Sequence, residues 1–265
     1  MKIWLFAAFE SIIAALGLAA FFWAESIPLT AAAVVGAAAL GIAQPLLAAR
    51  QSRRMQRYQE GVFAKSQAAV DEQVDQLLTD IIDPPLPHRP TVVAFLERYA
   101  GIDIDALLAQ YDRLVKAIAS KSFAAEELAA AFTDKTSGSS LGIYLCGLAA
   151  LSQKHLHDAH HHFSVVTGRQ PTWIAPWLGW AAAAYELNQF EEIAKRHPHV
   201  NGANLTPYDV GDEATFIGLD ETVRDDLVEQ FQTAARALGN YYTLAEMQLS
   251  KQRIEESQAE LRKVA

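Results

Sequence analysis

The sequence predicts an all-α protein: a two-helix hairpin in a membrane, followed by a helical body in water. Three observations carry this prediction. Residues 1–49 hold only Lys2, Glu10 and Glu25 as formal charges. From Arg50 onward apolar residues recur every three to four positions, the period of a helix with one buried face. No stretch of useful length alternates apolar with polar residues as a half-buried strand does.

Across all 265 residues the hydrophobic share is 51%, an average that hides the asymmetry. From Arg50 on lie 21 of the 22 Lys/Arg and 29 of the 31 Asp/Glu, a net charge of −8. Such an acidic body argues against general nucleic-acid binding, because neutralising phosphates takes surplus bases. The single cysteine, Cys146, excludes an internal disulfide framework and a CxxC-type zinc site, and it suits a reducing compartment.

Residues 3–24 and 28–49 are apolar runs of the length a helix needs to cross a bilayer. Trp4 and Trp23 sit near the ends of the first run, where aromatic rings favour the interface. The connection Glu25-Ser26-Ile27 is too short for anything but antiparallel neighbours. Arg50, Arg53, Arg54 and Arg57 crowd the exit of the second run, and by the positive-inside bias they place that exit in the cytoplasm. They also suit anionic lipid headgroups. Both termini are then cytoplasmic, at a bacterial-type inner (plasma) membrane. A cleavable signal peptide fits less well, since Glu10 interrupts the apolar core and a second span follows at once.

Two features make the hairpin a candidate contact surface. Ala33, Ala37 and Gly41 form a small-residue ridge that lets another helix approach, although an Ala-rich span also produces such ridges by chance. Glu10 lies about two turns into the first run, where an ionised carboxylate is costly. It is protonated, snorkels to the interface, or meets a polar partner.

Residues 50–83 read as a juxtamembrane amphipathic helix, with Met55, Tyr58, Val62, Val70, Val74, Leu77 and Ile81 on one stripe. PPLPHRP at 84–90 stops it and is expected to be a linker. The cytoplasmic domain, 91–265, begins with helices at about 91–100 and 104–120, the second capped by Asp103 or Asp105. A short helix at 123–133 precedes the loop DKTSGSS at 134–140. After an irregular stretch at 196–217, Asp220 is expected to cap a helix that Gly239 closes, with a last helix from about 241 to 262.

Between these, Gly147, Ala159, Phe163 and Pro171 stand in the register of small, small, aromatic and proline positions. Thirty-four residues on, Trp177, Ala181 and Phe190 continue it. Residues 141–196 therefore resemble tetratricopeptide repeats, 34-residue helix–turn–helix units. The resemblance departs from the pattern at Cys146, Asn188 and Tyr185. It implies paired helices with small residues at close approaches, and an extended surface that binds protein partners.

KHLHDAHHHF places His155, His157, His160, His161 and His162 within eight residues. His157 and His161, one helical turn apart, could ligate a metal. No second cluster supplies matching ligands, and a solvated outer face explains the run better. Trp173, Trp177 and Trp180 are expected on one helical face, as inter-repeat core or as a partner-binding patch. Cys146 reads as a core thiol. No Walker, GxGxxG, HExxH or GxSxG motif is present, so no enzyme activity and no cofactor is expected. The expectation is a membrane-anchored scaffold or adaptor for protein partners, with homo-oligomers allowed. The alternative is an accessory subunit of a membrane complex, held through its hairpin, and a metal sensor or enzyme comes third.

Overall fold

The computed structural model describes residues 50–264, except 52, 56, 59–60, 100, 102, 197–203, 208–209 and 211–217. The expected hairpin, with Glu10, Ala33, Ala37 and Gly41, lies outside the described residues. Among the described residues no helix is long and apolar enough to cross a membrane. What they form is all-α, with helices and no strand.

The chain makes two compact units, Met1–Ala69 and Val70–Ala265. In the first, the described positions from 50 to 69 are helical. The expected stripe breaks here: Met55, Tyr58 and Val62 are exposed, whereas Phe63 and Gln67 are half-buried. In the second unit, residues 70–79 are helical, with Val70, Val74 and Leu77 half-buried. This helix stops at Asp80, short of the expected 83, ahead of Pro84, which keeps Asp83 out of the α region.

Eight helices follow among the described residues: α1 (Arg89–Leu96), α2 (Ile104–Ala119), α3 (Ala124–Lys135), α4 (Ser140–Ser152), α5 (Leu156–Arg169), α6 (Ile174–Glu186), α7 (Phe190–Arg196) and α8 (Glu221–Val264). The Asp103 side chain accepts from Ala106 N at 3.0 Å and caps α2, and Ser139 caps α4 by accepting from Gly142 N at 3.0 Å. Consecutive helices from α2 to α7 pack on one another, and α8 packs on α6 and α7.

The proline stretch is no free linker. Pro84 and Pro87 are buried, Tyr144 Oη donates to Pro85 O at 2.7 Å, and Tyr111 Oη donates to Pro87 O. Prolines offer carbonyls without competing N–H groups, and two buried tyrosines use them to hold the segment on the core.

The turns α2–α3, α4–α5 and α6–α7 share one geometry, which recurs at α3–α4 with Ser137 at φ 52° and Gly138 N to Thr133 O at 2.8 Å. Lys121, Lys154 and Asn188 adopt φ of 51°, 62° and 57°. The next N–H in each case reaches back five residues: Ser122 N to Ala117 O at 2.8 Å, His155 N to Ala150 O at 2.9 Å, Gln189 N to Ala184 O at 2.8 Å. This is the closure that satisfies orphan carbonyls at a helix end.

Phe163 sits at the centre of the helix stack. A Cβ added to Gly147 would fall 2.7 Å from the Phe163 ring, and one on Gly179 2.6 Å from it. Only glycine lets α4 and α6 close on α5 from two sides. Tyr144 packs on Phe163 with centroids 5.7 Å apart and on Trp173 at 4.6 Å. This region makes one apolar core. A second joins α6, α7 and α8 through Leu178, Ile193, Leu238, Tyr241 and Tyr242.

Gly239 does not end a helix. It lies inside α8 without a positive φ, while Ala234, Ala237, Leu238, Tyr241, Tyr242 and Ala245 stay buried across it. The continuous buried register on both sides outweighs the weak helix preference of one glycine.

Candidate functional site

The expected tryptophan face divides in the structure. Trp173 precedes α6, with β-region backbone dihedrals, so its ring leaves the helical register and is fully buried against Tyr144. Its Nε1 has no hydrogen-bond partner among the described residues. Trp177 and Trp180 remain together on α6, stacked with centroids 5.7 Å apart. Trp177 Nε1 donates to Pro171 O at 2.9 Å, so the proline of the expected register also anchors an indole.

Trp180 is the hub of a polar arrangement the sequence does not single out. The Arg196 guanidinium lies 3.3 Å above its ring centre, a cation–π contact. Trp180 Nε1 donates to His160 Nε2 at 2.6 Å. The same His160 nitrogen is 3.2 Å from Glu192 Oε2. Glu192 in turn accepts from Arg196 Nη2 at 3.2 Å, one helical turn away.

The two contacts of His160 Nε2 compete, since a nitrogen that accepts from an indole cannot also donate to a carboxylate. Burial pushes His160 below the usual histidine value, against the opposing pull of Glu192. The neutral ring therefore holds Trp180, and Glu192 is satisfied by Arg196. A proton on Nε2 would reverse this by turning the acceptor toward Glu192 as a donor. Of the five clustered histidines, this is the one set into a network with α6 and α7. No spacing along the chain marks it, because its partners arrive through the packing of separate helices.

His157 and His161, the expected metal pair, are exposed on the outer face of α5. Their neighbours are engaged elsewhere: His155 Nδ1 lies 2.6 Å from Glu126 Oε1, and burial, then His161, lowers the His162 pKa. Among the described residues no group of three or more His, Cys, Asp or Glu is arranged to hold a metal ion. Cys146 is half-buried, 3.3 Å from Thr133 Oγ1, with its pKa raised by burial. That places it as a packed thiol and not an activated one.

Beside the Trp180 cluster runs an open groove of about 780 Å³ between α7 and the distal part of α8. Asn188, Gln189, Phe190, Leu249 and Gln252 line it, with Glu191, Glu192, Lys195 and Arg196 along α7. Lys195 pairs with Glu191 at 3.3 Å, so the charged wall is largely neutralised internally. Gln189 Oε1 is buried without a hydrogen-bond partner among the described residues. Arg50, Arg53, Arg54 and Arg57 are exposed in the first unit.

Fold and groove together define the class: an all-α body of consecutively packed helices with a polar, amide-rich groove. Comparison with protein-family models, with curated proteins and with solved structures returned no match.

Proposed function

We propose that the chain is a membrane-anchored scaffold or adaptor. In this reading a two-helix hairpin at 3–24 and 28–49 fixes it to a bacterial-type inner membrane, with both termini cytoplasmic. The helical body, built of tetratricopeptide-like pairs over about 141–196, recruits a protein partner on that side. The first 49 residues, with only Lys2, Glu10 and Glu25 charged, and the arginines behind them support the anchor. The glycine approaches at Phe163 support the repeat-like reading.

The groove beside Trp180 is the observation that carries the proposal. Its primary amides on Asn188, Gln189 and Gln252 offer both donors and acceptors, the complement of a peptide main chain. No residue set here combines a nucleophile, a base and an oxyanion donor, and the role proposed is not enzymatic.

Affinity purification from native membranes tests it. The full chain and residues 70–265 alone should retain the same partners, and Q189A/Q252A should lose them. Partners that persist only with the native hairpin would favour the accessory-subunit reading, with Glu10 and the Ala33–Ala37–Gly41 ridge as the contact. Partners indifferent to Q189A/Q252A would remove the groove.

A further inference from the structure

In the first unit the described positions from 50 to 62, all helical, present two exposed features side by side. Arg50, Arg53, Arg54 and Arg57 follow the spacing i, i+3, i+4, i+7, which at 3.6 residues per turn puts all four on one face. They span about 10 Å along the helix axis. Glu60 is the one acidic residue from 50 to 62 in the sequence, and none of the four arginines enters an ion pair among the described residues. On the adjoining face the large apolar side chains Met55, Tyr58 and Val62, spread over about two turns, are 60%, 69% and 51% exposed. A helix that served only as a spacer would gain nothing from exposing them next to four like charges.

We propose that residues 50–62 form a docking surface for acidic phospholipid headgroups, with the arginine ridge binding phosphates and Met55, Tyr58 and Val62 meeting the apolar edge of the interface. Two observations select this occupant. Guanidinium groups pair with phosphate in bidentate fashion, and four on one face give a local positive field on a chain that is otherwise acidic. The ridge also begins directly after the apolar run that ends at Ala49, so its 10 Å falls at about the depth of a headgroup layer. The inference deepens the anchor reading: the hairpin supplies attachment, and the ridge supplies a preference among lipids.

The purified full chain is reconstituted into phosphatidylcholine vesicles containing a minor share of phosphatidylglycerol. Discs are then excised with a styrene–maleic acid copolymer and their lipids quantified. Wild-type discs should hold phosphatidylglycerol at about threefold or more over bulk, declining as salt is raised. R50Q/R53Q/R54Q/R57Q should return to the bulk ratio, while R113Q/R169Q/R236Q/R253Q, an equal loss of charge elsewhere, should keep the enrichment. Wild-type discs at the bulk ratio, an enrichment insensitive to salt, or one that survives in the ridge variant would each overturn the assignment. So would its loss in the control variant. A ridge variant that sheds a co-purified protein with no change in lipid would identify a protein as the occupant instead. The anchor is read separately, by retention in pure phosphatidylcholine vesicles after an alkaline wash. If the chain washes off, the phosphatidylglycerol preference is still measured by sedimentation with vesicles at neutral pH.

Discussion

Phe163 and Trp180 lie one layer apart in the same body and are held by opposite means. Phe163 is fully buried, with glycines on two flanks where any Cβ would collide and Tyr144 on a third side. Its position depends on shape alone. Trp180 is also nearly buried, but an arginine, a histidine and, through them, a glutamate surround it, all reaching the groove or the surface. The first site can report only whether the helices are packed. The second can respond to a proton or a ligand, because its contacts are exchangeable.

Breaking the Phe163 site should have the largest effect. F163A should cost about 3–5 kcal/mol, read as a lower midpoint of thermal or denaturant unfolding. G179A, the converse test, should cost about 1–3 kcal/mol by overfilling the same space. In the F163A background G179A should be close to neutral, because the clash it creates is with the missing ring. Additive costs would show that the glycine acts through its backbone.

The Trp180 site should answer to pH instead. His160 and His162 both have folded pKa values lowered by burial, so the unfolded chain binds more protons on acidification. Their contribution to stability is complete above the ordinary histidine value of about 6.5 and is lost as pH falls below it. The melting temperature should drop between about pH 7.5 and 5.5, and H160N should flatten this slope while leaving the share of His162. An unchanged slope in H160N would mean that the Trp180–His160 contact does not govern protonation.

The smallest effect, and of opposite sign, is expected at the turns. The left-handed backbone of Lys121 strains a side chain where it would not strain glycine, so K121G should raise stability by about 0.5–1 kcal/mol, visible as a slightly higher melting temperature. No change would show that the Lys121 side chain compensates through contacts of its own.

The packed site was legible in the sequence to the extent that a register exposes it. Gly147, Ala159 and Phe163 carry the expected positions, and the structure brings Gly147 against Phe163 and buries Ala159. The register puts the second small residue at Ala181, whereas the close approach is made by Gly179, on the face of α6 turned to α5. A helix pattern gives the face to within a turn, and contact with one ring needs the relative rotation of two helices. Trp173 shows another limit: its place in a tryptophan triplet holds only if it is helical, and it sits at the cap. Glycine commonly ends a helix, so the sequence points to a terminus at Gly239, yet the tyrosines after it are buried in the same helix. The His160–Trp180–Arg196–Glu192 set was not legible at all, because the three helices that supply it meet only in the folded state.

The proline strap has a consequence beyond holding the core. Three of its four residues from Pro84 to Pro87 lack an N–H, and the carbonyls of Pro85 and Pro87 are already taken by Tyr144 and Tyr111. An extended segment normally invites a passing strand to pair with it. This one has almost no donors to offer and few acceptors left, so it is extended chain that cannot seed a sheet.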